Sequence, residues 1–181
     1  MATKNNRRIL VTKRILKESL LELMQDKPIS KISIKEICDL SEMSRSTFYL
    51  HYQDQFELLK DIENDAFEKT FEALKGIDNS INTLEAIERF LNYIKANKET
   101  FGILLCQPDT EDFQMSILEK IGEYVRISVP DIHQTPNNTY LFTFVMHGCI
   151  SVLRQWINED FDLEIRVLAE LIYNSCHSVV N

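Results

Sequence analysis

The stretch Ser33–Tyr52 reads SIKEICDLSEMSRSTFYLHY and predicts two short helices joined by a tight turn. Ser33 suits the N-cap of the first helix, and Glu36, three residues later, suits the reciprocal position of a capping box. The apolar residues that follow are expected to share one helical face: Ile34, Ile37, Cys38 and Leu40. Residues 41–43 break this pattern, and Ser44 restarts it as the N-cap of the second helix.

The second helix is predicted to bury one face and to present the other. Phe48 and Tyr52 are four residues apart, so they share a face that can pack on the first helix. In a helix-turn-helix, the N-terminal part of the second helix reads the major groove, and hydroxyls and cations bond to phosphates and base edges. The spacing alone also fits a helical hairpin with a polar outer face. The remaining surface holds these groups: Arg45, Ser46, Thr47, Tyr49 and His51.

The charge of the chain is divided unevenly. The net charge is −8, which by itself disfavours a DNA-binding protein. Residues 1–60 nevertheless hold 11 Lys and Arg against 8 Asp and Glu, whereas residues 61–181 hold 9 against 20. The basic N-terminal end is therefore expected to face nucleic acid, and the acidic remainder is expected to be repelled by it.

The segment from Arg14 to Leu59 resembles the N-terminal domain of the TetR/AcrR family of transcriptional regulators. The resemblance is carried by Ile34–Cys38, Met43–Tyr49, His51-Tyr52 and Glu57–Leu59. It implies a helix-turn-helix that binds double-stranded DNA. The residues expected to contact that DNA are Ser33, Lys35, Ser44, Arg45, Ser46, Thr47, Tyr49 and His51.

Two positions depart from the family pattern. The family usually has Gly in the turn, where this chain has Glu42, and a non-Gly residue at positive φ carries strain. The family also usually has Lys, which commonly helps to hold the DNA backbone, where this chain has Gln55. The loss of that Lys predicts weaker phosphate affinity rather than a lost fold.

The fold class predicted for the whole chain is all-α with about nine helices, because 181 residues contain only four Gly and four Pro. A three-helix DNA-binding domain is expected over residues 1–53, with its first helix from about Arg8 to Gln25. Residues 54–181 are expected to form a ligand-binding and dimerisation bundle. Its first helix, residues 54–76, would be about 30 Å long, and the resemblance implies that it transmits ligand state to the DNA-reading unit.

The last two predicted helices, Thr139–Ile157 and Phe161–Val179, are expected to be antiparallel neighbours because the linker between them is short. Between the connector and this pair, helices are predicted at 84–94, 99–106 and 113–129, with loops at 76–82 and 130–138. The resemblance implies a homodimer through residues 139–157 and 161–180. The physical need agrees, because a single helix-turn-helix contacts too little DNA and a dimer reads two half-sites.

An effector pocket is expected within the bundle, with apolar walls and a few polar groups. For each candidate alone, packing in the core is the competing explanation. His147 interrupts an apolar helix, so it is expected to face a ligand, to bridge a dimer or, as the favoured reading, to be buried with its hydrogen bonds satisfied. The candidate lining residues are Phe90, Tyr93, Phe101, Cys106, Met115, Phe144, His147 and Trp156.

Several classes of protein are disfavoured by the sequence. It contains no nucleophile elbow, no Gly-rich phosphate loop and no paired carboxylates on a recognisable scaffold, so it is not expected to be an enzyme or to need a cofactor. Its four cysteines lack CxxC spacing, and no closed set of metal ligands is visible. Without a secretory signal or a membrane span, the chain is expected in the cytoplasm.

Two functions remain from this reasoning. The first is a ligand-responsive DNA-binding regulator, in particular a repressor, that binds an inverted-repeat operator as a homodimer and releases it when a small-molecule effector binds. The second is a co-regulator of the same architecture that does not bind DNA and acts through a protein partner. Glu42 and Gln55 favour the second, and the outer surface of the second helix favours the first.

Overall fold

The structure is a computed structural model that describes residues 2–75, 83–107, 110, 113–117, 119 and 138–180. These residues are all-α, as the sequence predicts, apart from turns and a short 3-10 turn at Ile29–Lys31. The helices are α1 (Ala2–Asp26), α2 (Ile34–Leu40), α3 (Arg45–Tyr49), α4 (Gln55–Lys75), α5 (Thr83–Ala96), α6 (Lys98–Cys106), α7 (Asn138–Asn158) and α8 (Ile165–Val180).

The chain divides into two compact units. The first comprises Met1–Ala66 with Gln107–Asp109, and the second comprises Phe67–Cys106 with Thr110–Asn181. Helix α4 contributes its N-terminal half to the first unit and its C-terminal part to the second. Within the described residues, no helix has the length and apolar character needed to cross a membrane.

The core of the first unit is built on α1, which begins at Ala2 rather than near Arg8 as predicted. Leu16, Leu20 and Met24 are fully buried at a spacing of four residues, so they form the apolar stripe by which α1 enters the core. Helix α2 packs on both α1 and α3.

In the second unit, α8 packs against α5 and α7, while α6 packs against α7. Helices α7 and α8 are antiparallel neighbours, because Phe144 near the start of α7 lines the same groove as Ser175 near the end of α8. At their connection, the Trp156 indole N–H donates to the Leu163 carbonyl. An ion pair of 2.9 Å between Arg166 Nη1 and Glu88 Oε1 joins α8 to α5.

Helix α8 begins at Ile165, so the prediction that it begins at Phe161 was wrong. The reason is the way α7 ends. The Phe161 N–H bonds to the Trp156 carbonyl and the Asp160 N–H to the Ile157 carbonyl, at 2.8 and 3.1 Å, and both residues adopt positive φ. This is a Schellman end, and its usual apolar contact is the Trp156–Phe161 ring pair, 4.7 Å between centroids.

The helix predicted at 113–129 and the loops predicted at 76–82 and 130–138 lie mostly outside the described residues. Of the residues in these segments that the structure describes, 113–117 and 119 are helical, and Asn138 is the first residue of α7.

Candidate nucleic-acid interface

Helix α2 begins with the predicted capping box. The Glu36 N–H donates to Ser33 Oγ at 3.3 Å, and the Ser33 N–H donates to Glu36 Oε2 at 2.9 Å. The Lys27 ammonium pairs with the other carboxylate oxygen of Glu36. The hydrogen bond from Lys27, followed by those from Ser33, lowers the pKa of Glu36 to about 2. This fixes the start of α2 and ties it to the end of α1.

The turn between α2 and α3 is a second Schellman end. The Met43 N–H bonds to the Cys38 carbonyl at 3.0 Å, and the Glu42 N–H approaches the Asp39 carbonyl at 3.4 Å. Glu42 is the residue of this motif that takes the left-handed conformation, with φ of 54°. The departure from Gly at this position therefore falls where the backbone favours Gly most.

Helix α3 begins at the predicted N-cap, Ser44, whose hydroxyl oxygen accepts the Thr47 N–H at 3.1 Å. The same oxygen lies 2.8 Å from both Ser46 Oγ and Thr47 Oγ1. The three hydroxyls therefore form one connected cluster at the start of α3. Most of the capacity of Ser44 for hydrogen bonding is used within this cluster.

The structure brings the hydroxyls of Ser44, Ser46 and Thr47 together and leaves most of the sequence-predicted DNA contacts open to solvent. Phe48 is fully buried, while the opposite side of α3 is open to solvent. Leu50, an apolar residue that no polar pattern in the sequence marks as a DNA contact, is 80% exposed at the C-cap of α3. It lies four residues after Ser46 and thus on the same face. Two of the predicted DNA contacts, Thr47 and His51, are half-buried. The others are exposed: Ser33, Lys35, Ser44, Arg45, Ser46 and Tyr49.

One apolar prediction in this unit was wrong. Leu40 is 40% exposed, although it was expected on the inner face of α2 with Ile37 and Cys38. Helix α2 ends at Leu40, and the chain then turns so that Ser41 is buried instead, with its hydroxyl donating to the Cys38 carbonyl at 3.3 Å.

Behind α3 lies a polar cluster centred on Asp61 of α4, which we call the Asp61 cluster: Lys13, Lys17, Tyr52, Asp61 and Asp65. The Tyr52 hydroxyl donates to Asp61 Oδ2 at 2.7 Å, and Lys13 and Lys17 pair with the same oxygen at 3.2 and 3.0 Å. Lys17 also pairs with Asp65 at 2.8 Å, and the Lys13 ammonium lies over the Tyr52 ring.

Burial of Asp61 acts to raise its pKa, but hydrogen bonds from Tyr52, Lys17 and Lys13 outweigh it, so the pKa of this carboxyl lies below its usual value. Burial of Tyr52 and its hydrogen bond to Asp61 raise the pKa of the Tyr52 hydroxyl. The cluster joins three parts of the first unit: α1, the residue Tyr52 that follows α3, and α4. These parts are therefore held by charged hydrogen bonds as well as by apolar packing.

A family model for the TetR C-terminal region, described as "Transcriptional regulator C-terminal region", matches residues 82–178, which is more than half of the chain. The chain belongs to the TetR family of transcriptional regulators. This match to the C-terminal part of the chain confirms the family resemblance that was seen in the N-terminal segment. TetR-family proteins are regulators of transcription and not enzymes, in agreement with the missing catalytic motifs.

Individual TetR-family relatives and structures agree with this assignment. YxbF of Bacillus subtilis strain 168, an uncharacterised HTH-type transcriptional regulator, is 23% identical over 155 residues, 80% of this chain and 39% of YxbF. The dhaKLM operon transcriptional activator DhaS of Lactococcus lactis strain IL1403 is 36% identical over 62 residues, 34% of this chain and 33% of DhaS. The chain thus spans between a third and two fifths of the length of these curated relatives.

The crystal structure of a TetR transcriptional regulator from Streptococcus agalactiae 2603V has the same fold. It superimposes with a TM-score of 0.74 and 21% identity, covering 97% of this chain and 99% of that one. At this level of identity the likeness establishes the fold.

The residues predicted to line an effector pocket of this TetR-family chain lie in different environments. Tyr93 and Phe101 meet edge to face at 5.6 Å, and Phe101 and Trp156 are buried in the core. Phe90 and Cys106 are half-buried, and burial raises the pKa of Cys106. Met115, Phe144 and His147 are exposed. The structure thus brings Tyr93 and Phe101 into contact, and the role of the whole set stays a prediction.

Of the three roles considered for His147, the favoured one, burial with its hydrogen bonds satisfied, was wrong for the single chain. Its ring is exposed, with Nδ1 2.9 Å from the Thr143 carbonyl of the same helix. Among the described residues, no group of three or more His, Cys, Asp and Glu side chains could hold a metal ion.

One face of α7 and α8 is apolar and open in the single chain; we call it the α7–α8 strip. Its most exposed members are Tyr140 at 81% and Phe144 at 69%, and Val167 and Leu171 of α8 are 48% and 44% exposed. A groove of about 190 Å³ lies along this strip, lined by Phe144, Val145, Gly148, Cys149, Val152, Leu171, Ile172 and Ser175. An added Cβ at Gly148 would meet nothing within 4 Å, so the groove opens outward there.

Proposed function

We propose that this TetR-family chain is a ligand-responsive repressor that binds an inverted-repeat operator as a homodimer in the cytoplasm. The observation that carries the proposal is the outer face of α3. It is held by caps at Ser33 and Ser44, backed by the Asp61 cluster, and it presents Arg45 to solvent. A rigid, capped helix with an exposed cation suits base reading in the major groove.

Each predicted contact has a role in this proposal. Arg45 and Ser46 meet base edges, because they are exposed near the start of α3. The remaining contacts, which hold the phosphate backbone and add charge beside it, are Ser33, Lys35, Ser44, Thr47, Tyr49 and His51. Residues 1–53 form the DNA-binding domain in this scheme, and residues 54–181 form the ligand-binding and dimerisation domain with residues 54–76 as connector.

The α7–α8 strip supports the dimer. Two bulky aromatic side chains, Tyr140 and Phe144, lie one turn apart on α7 and are largely exposed in the single chain. Exposed apolar surface of this kind commonly marks a protein interface. A second copy of the chain, packed through residues 139–157 and 161–180, would cover the strip and give two copies of α3 for the two operator half-sites.

Regulation in this scheme passes through α4, which contributes residues to both units. A small molecule that binds in the second unit shifts α4 and changes the separation of the two DNA-binding units. The effector must bind the released form more tightly than the DNA-bound form, because a ligand with equal affinity for both shifts nothing.

The test begins with selection of bound sequences from random duplex DNA by the purified full chain. We expect enrichment of an inverted repeat. For the recovered operator, Arg45→Ala should cost about 1–3 kcal/mol of binding free energy and relax base preference at one position. Arg89→Ala, which removes an exposed arginine from α5, is the matched control and should bind as the wild type does.

Two results would change the proposal. Wild-type affinity and base preference in Arg45→Ala would remove that residue from the interface. Absence of selective binding at every salt concentration would favour the co-regulator, which the acidic side chain of Glu42 next to α3 and Gln55 at the start of α4 also favour. Because the relative DhaS is named an activator, a reporter gene behind the recovered operator decides the direction, and repression is expected.

A further inference from the structure

The outer face of α3 is more apolar than a phosphate-binding surface needs to be. It comprises Arg45, Ser46, Tyr49 and the C-cap residue Leu50. Tyr49 is 57% exposed and Leu50 is 80% exposed, so both side chains contact water in the unbound chain. Exposed leucines are common on protein surfaces, but this one lies on the face that would enter the major groove.

The polar groups on this face offer few ways to read bases. Ser46 Oγ is bonded to Ser44 Oγ, which also caps α3 and contacts Thr47 Oγ1. The face carries no Asn or Gln, the side chains that pair with adenine, and no Asp or Glu, which accept from cytosine. Beyond Arg45, which suits guanine, the large groups that it offers are the Leu50 side chain and the Tyr49 ring.

The major groove presents one apolar group, the 5-methyl group of thymine. DNA is the occupant that the charges favour, because this face includes the exposed cation Arg45, Lys35 of α2 is also exposed, and residues 1–60 carry more Lys and Arg than Asp and Glu. Burial of one methyl group against an apolar side chain corresponds to about a fourfold gain in affinity.

We propose that Leu50, with the Tyr49 ring next to it, is a specificity-determining residue that reads thymine by its 5-methyl group, beside a base contact made by Arg45. The inference rests on the proposed DNA-binding function. It assigns to Leu50 a role that hydrogen-bonding considerations alone overlook, and it predicts a thymine at one or two positions of each half-site.

The test replaces each thymine of the selected operator, one at a time, by deoxyuridine. This change removes the methyl group and leaves every hydrogen-bonding group in the groove. For the wild-type chain, we expect affinity to fall about fourfold at one or two positions of each half-site. For Leu50→Ala, thymine and deoxyuridine duplexes should bind equally at a Leu50-contacted position. Leu10→Ala, at an exposed leucine of α1, is the control and should keep the wild-type preference.

The outcomes separate the inference from the function on which it rests. Sequence-selective binding that is insensitive to deoxyuridine at every position, or a selected half-site without thymine, overturns the role of Leu50 and leaves the DNA-binding function intact. A methyl preference that persists in Leu50→Ala also overturns it. If the chain selects no DNA at all, both fail, and the apolar face of α3 is then a surface for a protein partner.

Discussion

At Glu42 the backbone adopts φ of 54°, a conformation in which a side chain meets the following carbonyl and costs about 1–2 kcal/mol. The Schellman hydrogen bonds from Met43 and Glu42 hold it there, because they close the end of α2 before α3 begins. The sequence-based expectation of strain at this position therefore has a structural basis. The strain lies directly beside the proposed DNA-reading helix.

Glu42→Gly is expected to raise the free energy of unfolding by about 1 kcal/mol, because glycine adopts positive φ without the Cβ clash. Urea unfolding followed by circular dichroism measures it. Glu22→Gly makes the same chemical change at an exposed site inside α1 and should lower stability by about 1 kcal/mol. Equal losses at both sites would show that the turn carries no strain.

The Glu36 carboxylate should give the chain a defined loss of stability in acid. Its pKa is lowered from 4.5 to about 2 in the folded chain, so its contribution is complete above about pH 4.5 and is lost as the pH falls towards 2. Glu36→Gln keeps a capping oxygen but not the charge. The stability difference between the wild type and this variant, measured by urea unfolding, should therefore shrink over that range.

Lys27→Met provides the matched background for this experiment, because Lys27 is the first cause of the lowered pKa. In that background, Glu36→Gln should have little effect on how stability depends on pH. A pH dependence that persists without Lys27 would mean that the capping hydrogen bonds with Ser33 alone lower the pKa.

Among the elements, α3 is too short to hold its own orientation, and the Asp61 cluster is what ties the segment behind it to α1 and α4. Tyr52→Phe removes the hydroxyl that donates to Asp61 and leaves the ring in place. We expect a loss of about 1.5–3 kcal/mol in the free energy of unfolding, since one partner of the bond is charged.

The readout that connects this cluster to function is DNA binding, measured at a temperature where the wild type and Tyr52→Phe are both folded. Weaker binding by Tyr52→Phe, with unchanged base preference, is expected if the cluster orients α3. Unchanged affinity would limit the cluster to a role in stability.

How far the elements follow from sequence depends on how local their causes are. The caps at Ser33 and Ser44 were predicted correctly, because capping involves residues within three positions of each other. The predictions for Leu40 and Phe161 were wrong because the sequence did not reveal the Schellman ends of α2 and α7. In both motifs a residue other than Gly occupies the left-handed position, so the usual signal for such an end is missing. The Asp61 cluster was missed, since Lys13 and Asp61 are 48 residues apart and charged residues at such separations leave no periodic signal.

For the whole molecule, the α7–α8 strip predicts the oligomeric state. Phe144→Asp places a charge on the strip where Phe144 is 69% exposed in the single chain, so it should leave the fold intact and weaken the dimer at least about tenfold. Sedimentation velocity over a range of concentrations measures this. Leu10→Asp changes an equally exposed apolar residue on α1 and should leave the dimer unchanged.

A dimer that survives Phe144→Asp would place the interface elsewhere.

The strip also shows why the candidate pocket residues could not be assigned from sequence. An apolar helix such as α7 has one face in the core and another open to solvent, and composition does not tell them apart. Trp156 lies on the buried side and Phe144 and His147 on the open side.

The thiol of Cys38 is 4% exposed beneath α3, and burial raises its pKa, so a thiol reagent reaches it only when the first unit opens. A chain in which the other three cysteines are replaced by serine carries this thiol alone. Its labelling rate then measures the opening of the helix-turn-helix without an added probe. If operator binding closes the unit, as the proposed function implies, it slows this labelling, and Cys38 then reports operator occupancy.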